Sequence, residues 1–486
     1  MTRELLKRKA PLSDYGSKKG KGIGAYFNTN KAPRPGPERG RQMVKADAEE
    51  LEREQAKLKT WIDWRNIGHT WLGHHETPAP ATKFAAFDLD HTLICVKGRW
   101  TYPKGPYDWK FLHPSVPKVL CSLHEQGYKI VILTNQNAFM GSKKKPGMPK
   151  NAKDFRIKIA SIASVLKIPF TVVVATAKDY MRKPCPGMWH IAELDNGGVA
   201  VDRSASFFVG DAAGRPAGFV EGAPADFSAC DIGLARNAGV PFYTPEDIFH
   251  DNNSISLGND TFVLPPPVER EVNHFTPRLL TSDPSELSGL VDTLKKETQQ
   301  AQNAGRGLLV VLVGPPACGK STFVNTHLAP LGFERINMDT LKTAKKCENA
   351  VSAALEAGRC AVVDNTNPAV ETRSAFNDIA RKHGAKSIAV VFKHSVRDFA
   401  MHNDSFRASI EQACHFRSVQ EQNMDHASVL DTIPVGAERI PPVAYHTYYK
   451  RLVVPEEAEG FSRVLYHVFI PDFASPDEKK LWFQYF

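Results

Sequence analysis

The chain has 486 residues, is 42% hydrophobic and carries a formal charge of +9. At roughly 100–200 residues per domain, that length accommodates two or three domains, each able to bury a proper core. No stretch approaches the ~18 unbroken apolar residues of a membrane span, the amino terminus lacks an apolar run of signal-peptide length, and none of the eight cysteines sits in a C-x-x-C pair or a Cys/His cluster of zinc spacing, so secreted, membrane-spanning and zinc-centred classes are excluded and an intracellular protein with reduced thiols is expected.

Residues 1–45 hold twelve Lys/Arg against three acids, which is the whole of the charge excess. Rich in Gly, Pro and Lys, this tail cannot bury enough apolar surface to offset its ordering entropy and is expected to be disordered. Lys7-Arg8-Lys9 and Lys18-Lys19-Gly20-Lys21 read as two halves of a nuclear-import signal, so a nuclear protein is expected. Ile23-Gly24-Ala25-Tyr26-Phe27 is the tail's apolar knot and has the spacing of a sliding-clamp-binding peptide, with Gly20 where a Gln usually leads. Residues 46–60 mix Ala, Leu, Glu and Lys and predict a helix leading into the first domain.

Residues 61–265 alternate short apolar runs with helical patterns. Phe84–Phe87, Lys129–Leu133, Thr171–Ala175 and Ser206–Val209 are the strand candidates, and the alternation predicts a doubly wound parallel sheet. The first strand ends in Asp88-Leu89-Asp90-His91-Thr92, which places two carboxylates at the carboxyl edge of the sheet, where α/β ligands bind. One can attack phosphorus while the other shuttles the leaving-group proton. A carboxylate approaching a phosphate dianion meets repulsion, so a lysine and Mg2+ are required nearby. Thr134-Asn135-Gln136, Arg182-Lys183-Pro184 and Gly210-Asp211 follow the next three strands in the order such a site needs.

Pro265-Pro266-Pro267 and Pro277 mark a linker at 266–285. Residues 286–486 form a second α/β pattern with strands at Leu308–Val313, Cys360–Asp364 and Ser387–Phe392. Leu308–Val313 runs into Gly314-Pro315-Pro316-Ala317-Cys318-Gly319-Lys320-Ser321-Thr322, a phosphate loop for ATP. Lys320 is expected on the β/γ-phosphates and Ser321 on Mg2+; Cys318 reads as a small space-filler that oxidation could reach. Asp339 is placed to take a hydroxyl proton, Asp364 to order Mg2+ through water, and Arg407, on a helical stretch, to neutralise the transferring phosphate as a lid arginine. Arg373 reads as a helix-surface residue. Lys143-Lys144-Lys145 and Lys342, Lys345 and Lys346 are candidate grips on a phosphate backbone, and Trp100, Tyr102 and Trp109 candidate stacking platforms, with core packing the better reading for the aromatics.

The four strand-end motifs resemble the haloacid dehalogenase superfamily of phosphatases. The resemblance implies Asp88 as nucleophile, Asp90 as general acid/base, Thr134, Asn135 and Lys183 around the phosphate, and Mg2+ on Asp88, the Asp90 main-chain carbonyl and Asp211. His91 takes a position often filled by Gly. A phosphatase followed by a phosphate-loop kinase, with Gly210–Arg215, Asp226-Phe227-Ser228, Asp364–Asn367 and Ala458-Glu459-Gly460-Phe461, resembles the polynucleotide kinase 3′-phosphatase family from about residue 61 to 486. That implies a monomeric nuclear repair enzyme acting on DNA ends at nicks, gaps and breaks, removing 3′-phosphates and phosphorylating 5′-hydroxyls. Residues 1–60 hold no pattern for a forkhead-associated domain, and Met338 stands where the family suggests Arg. The same chemistry on RNA breaks, a small-molecule kinase/phosphatase and a non-catalytic scaffold are the rival readings.

Overall fold

The computed structural model describes residues 37–486 apart from 101, 137–138, 140–147, 220–221, 250–261, 269, 271–283, 393–396, 423–428, 437–438, 472, 474 and 485–486. The import and clamp motifs of the tail, Lys143-Lys144-Lys145 and most of the linker lie outside the described residues. The lead-in helix runs Pro37–Leu58, starting upstream of the expected residue 46. It packs on helix Lys150–Leu166, where Lys153 reaches Asp47 at 3.1 Å and Glu50 at 2.7 Å.

The first domain holds β1 (Asp63–Ile67), β2 (Thr70–His75), β3 (Phe84–Phe87), β4 (Ile94–Cys95), β5 (Lys110–Phe111), β6 (Lys129–Asn135), β7 (Phe170–Ala175), β8 (Phe207–Val209) and β9 (Phe242–Tyr243). Seven form one sheet in the order β1-β2-β7-β6-β3-β8-β9, and β4 and β5 make a small ribbon. From β7 to β9 all pairs are parallel, whereas β1 and β2 add as an antiparallel hairpin on the β7 edge. The sequence reading missed that hairpin. Its strands are half polar and β1 is only partly buried, so the buried-strand signature that revealed β3, β6, β7 and β8 is lacking. The chain builds outward through β6 and β7, then crosses back to β8, which puts the topological switch beside β3.

The second domain holds β10 (Leu308–Val313), β11 (Glu334–Ile336), β12 (Ala361–Val363), β13 (Lys386–Phe392) and β14 (Arg463–His467), all parallel in the order β11-β12-β10-β13-β14. Every residue of β10 is buried, and separate apolar clusters cover the two faces of the sheet. The phosphatase sheet is covered likewise, but one of its two clusters recruits Phe416, Val419, Val429, Leu430, Ile433 and Leu481 from the second half of the chain. No described helix is long and apolar enough to cross a membrane.

Candidate active sites

Asp88 leaves the end of β3 with its N–H on the Val209 carbonyl at 2.8 Å. Asp211 follows β8, and Asp231 opens helix Cys230–Ala238. One carboxylate oxygen from each lies within 4.8 Å of the others. Gly210 makes this approach feasible: a Cβ there would lie 2.5 Å from the Asp231 side chain. Into the trio reaches the buried Lys183, whose ammonium donates to Asp88 and lies 2.7 Å from Asp231. Burial, reinforced by Asp231 and Asp211, pushes the Asp88 carboxyl well up in spite of Lys183. Burial and Asp231 push Asp211 up to about 6. For Lys183, burial pulls the ammonium down, but Asp231 and Asp88 more than reverse it and the net shift is upward.

Three carboxylates facing one ammonium leave excess negative charge in a dry pocket. A hard divalent cation such as Mg2+ fits that all-oxygen donor set. Asp231 was absent from the sequence-derived ligand set; its only sequence signal is an acid opening a helix soon after Asp226-Phe227-Ser228. The Asp90 side chain stands apart from the trio, 44% exposed, accepting from Gln136 Nε2 at 2.8 Å with Lys158 Nζ at 3.6 Å. The same Gln136 nitrogen donates to the buried Thr134 hydroxyl at 3.0 Å. Asn135 holds the lysine: its amide donates to the Lys183 carbonyl at 3.1 Å and accepts the Lys183 N–H at 3.0 Å. His91 adopts φ +63°, the left-handed conformation that glycine tolerates best, and its side chain is exposed. Asp226 clamps the Asp211 loop through the main-chain N–H groups of Ala213 and Arg215 and the Arg215 guanidinium, leaving its neighbour Phe227 fully exposed.

In the second domain, the phosphate loop follows β10, the central strand. Ala317 and Gly319 take positive φ, and the helix begins at Lys320. Gly314 has no room for a side chain, since a Cβ would meet Cys318 Sγ at 2.6 Å and Phe392 Cβ at 3.0 Å. Lys320 Nζ donates to the carbonyls of Gly314 (3.0 Å) and Pro315 (2.6 Å). Ser321 Oγ donates to Asp364 at 2.8 Å, and Arg335 bonds both. Ser321 and Thr322 are exposed at the mouth of the loop, and Asp339 stands exposed beyond β11. Arg407, half exposed, pairs with the buried Asp404 at 2.8 Å. Cys318 is buried among the loop's packing contacts, and burial pushes its thiol up in spite of the neighbouring Lys320.

Arg373 is not a surface residue. It is fully buried, forks onto Glu459 at 2.8 and 2.6 Å, and donates to the carbonyls of Asn367 and Pro368. It therefore ties the loop after β12 to the Glu459 turn. Between the loop after β12 and Met338 lies a cavity of about 420 Å3, lined also by Tyr448 and Val443. Trp109 is buried, whereas Trp100 and Tyr102 are exposed. Lys342, Lys345 and Lys346 are exposed, with Lys345 paired to Glu348.

Residues 83–249 match the family model described as polynucleotide kinase 3 phosphatase, and residues 309–404 match an AAA domain model. The bifunctional polynucleotide phosphatase/kinase of Schizosaccharomyces pombe is 32% identical over 84% of this chain and 84% of its own length. A putative bifunctional polynucleotide phosphatase/kinase of Acanthamoeba polyphaga mimivirus is 28% identical over 87% of this chain and 93% of its own. A polynucleotide 3′-phosphatase of Arabidopsis thaliana matches 42% of this chain at 32% identity, over 29% of its own length. With this likeness spanning both sheets and both sites, the chain belongs to the bifunctional polynucleotide phosphatase/kinase family.

Proposed function

We propose that this protein heals broken DNA ends, removing 3′-phosphates at the first site and phosphorylating 5′-hydroxyls from ATP at the second, so that a ligase can seal them. The observation that carries this reading is the pairing, in a chain of this family, of the Asp88–Lys183–Asp211–Asp231 cluster with a phosphate loop on a second sheet. In this reading Asp88 attacks phosphorus, a bond forms to its carboxylate, and the bond to the 3′-oxygen breaks. Asp90, open to solvent, gives the leaving oxygen its proton and then takes one from the water that hydrolyses the aspartyl phosphate. Lys183 and the Thr134 hydroxyl hold the phosphate oxygens, and Asn135 holds Lys183. Asp88, Asp211, Asp231 and the Asp90 carbonyl are the groups that would hold Mg2+, which would supply positive charge to offset the repulsion of carboxylate and phosphate.

At the second site Asp339 accepts the 5′-hydroxyl proton. Lys320 exchanges the Gly314 and Pro315 carbonyls for the β/γ-phosphates, and Arg407 neutralises the transferring group. Ser321 and Asp364 are the residues that would hold Mg2+ there. The exposed Phe227, Trp100 and Tyr102 offer faces on which bases can stack. The tail is assigned to nuclear import and recruitment: residues 1–45 fused to a fluorescent protein should enter the nucleus, and Tyr26→Ala with Phe27→Ala should abolish sliding-clamp pull-down.

The test uses one nick bearing a 3′-phosphate and a 5′-hydroxyl, with Mg2+ and ATP. Asp88→Asn should abolish only 3′-phosphate removal and Lys320→Ala only 5′ phosphorylation. Wild-type protein that leaves both DNA ends untouched while healing an RNA break would overturn the DNA reading.

A further inference from the structure

We infer that Gln412, in the kinase half of the chain, is a positioning residue for Lys183 of the phosphatase site; this rests on the reading of Lys183 as a phosphate-binding group. Two of the anchors of the loop after β7 that carries Lys183 come from different halves of the chain. One is Asn135, on the phosphatase sheet itself. The other is Gln412, on helix Arg397–Gln422, which also bears Asp404 and Arg407. Its amide oxygen accepts the Tyr180 N–H at 3.0 Å, and its amide nitrogen donates to Asp179 at 3.4 Å and to the Pro434 carbonyl at 2.9 Å.

The residues it holds organise the rest of the loop. Asp179 accepts the Met181 N–H through its carboxylate at 3.1 Å and the Arg182 N–H through its carbonyl at 3.1 Å. The Tyr180 carbonyl accepts the Gly187 N–H at 3.2 Å, and the Tyr180 ring lies 6.0 Å from Phe416 on the same kinase-side helix. Gln412, Asp179, Tyr180, Met181 and Lys183 are all buried. Gly436 closes over the pair so tightly that a Cβ there would lie 2.5 Å from the Asp179 Cβ and 2.7 Å from the Gln412 amide oxygen. An amide with both ends used in a dry setting fixes geometry, because any displacement leaves a buried polar group unmatched. Lys183 needs such fixing, since a misplacement of about 1 Å at a reacting group costs on the order of 100-fold in rate.

The experiment uses the full chain. Gln412→Glu keeps the shape but faces Asp179 with a second carboxylate; Asp179→Asn in that background returns a donor to the pair. Gln412→Met keeps the length and removes the hydrogen bonds. We expect Gln412→Glu and Gln412→Met to lower the phosphatase kcat about tenfold, with KM for a 3′-phosphorylated oligonucleotide and the 5′-kinase rate within about twofold, and the Gln412→Glu/Asp179→Asn double variant to regain most of the lost kcat. An unchanged phosphatase kcat, a double variant that regains nothing, or a parallel fall of kinase and phosphatase with the melting temperature would each overturn the inference. Lys183→Ala separates the layers. If it leaves the phosphatase active, the assignment of Lys183 fails and the inference with it; if it abolishes activity while Gln412→Glu has no effect, the inference alone fails.

Discussion

Arg373→Met asks how much one buried arginine contributes to the kinase half. The guanidinium makes four hydrogen bonds, two to Glu459 and two to main-chain carbonyls after β12. At about 1.5–3 kcal/mol for a bond to a charged group, their sum would be roughly 6–12 kcal/mol. Burying the charge cancels much of that, and breaking one side of a buried pair costs about 3–5 kcal/mol. For a domain of this size, with ~2–4 °C per kcal/mol, the melting midpoint of the kinase half should fall by roughly 6–20 °C. Calorimetry on the full chain reads the shift, and 3′-phosphatase activity at 25 °C serves as the control that should hold. Removing the stranded partner as well, in Arg373→Met/Glu459→Leu, should recover much of the loss, because an apolar pair of similar volume leaves no unpaired buried charge. A midpoint lowered by less than about 2 °C, well below the range that follows from the buried-pair cost, or a double variant no better than the single, would refute the reasoning.

Gly314→Ala pushes a methyl against Cys318 Sγ and Phe392, so the phosphate loop must shift; the kinase rate should drop by roughly 100-fold while 3′-phosphatase activity stays, and an active kinase would contradict the contact. Asp231→Asn should raise the Mg2+ concentration that half-saturates the phosphatase by about 10–100-fold, and an unchanged titration would remove Asp231 from the metal set. His190 packs between Tyr180 and Phe416 with Nδ1 unpartnered, and burial pushes its imidazole down to about 4. The lowered pKa means that the unfolded chain binds the extra proton, so the stability is complete above the ordinary His value and is lost as pH falls from about 6.5 toward 4, by up to ~1.4 kcal/mol per pH unit. Urea melts of wild type and His190→Gln over that window should show a shallower acid-side loss in the variant; parallel curves would exclude His190 as the source.

The inner parallel strands were legible because a strand buried on both faces must be continuously apolar, as Phe84–Phe87 and Leu308–Val313 are, whereas the edge strands β9, β11 and β14, short or partly exposed, were not among the expected strands. The strand-end motifs were legible because phosphate chemistry needs particular residue types at those ends. What escaped depends on partners distant in sequence. Arg373 lies on a helix with Glu371, Arg381 and Lys382, and nothing local says that it turns inward to Glu459. Asp231 shares its loop region with several acids, and only the fold brings it to Asp88. Gln412 reads as a polar helix position until the phosphatase loop is packed against it.

The two sites share one layout yet treat their substrates differently. The proposed nucleophile Asp88 and the proposed base Asp339 each follow a parallel strand, but Asp88 and Lys183 are buried while Asp339 is exposed. In the first site burial strips water from the Asp88 and Asp211 carboxylates, and their raised proton affinity is the electrostatic cost of that dryness and of the neighbouring Asp231. A cation and Lys183 repay it only when held close. The phosphatase loop is held accordingly by its own domain and also by the kinase-side helix. The second site concentrates its positive charge in the phosphate loop, where Lys320 is proposed to meet the nucleotide, and it leaves Asp339 open to solvent. On the proposed function, the buried Asp88 site suits a terminal phosphate group, and the exposed Asp339 leaves room beside it for the rest of a polynucleotide end. Placed in one chain, the two sites divide the task by accessibility as much as by chemistry.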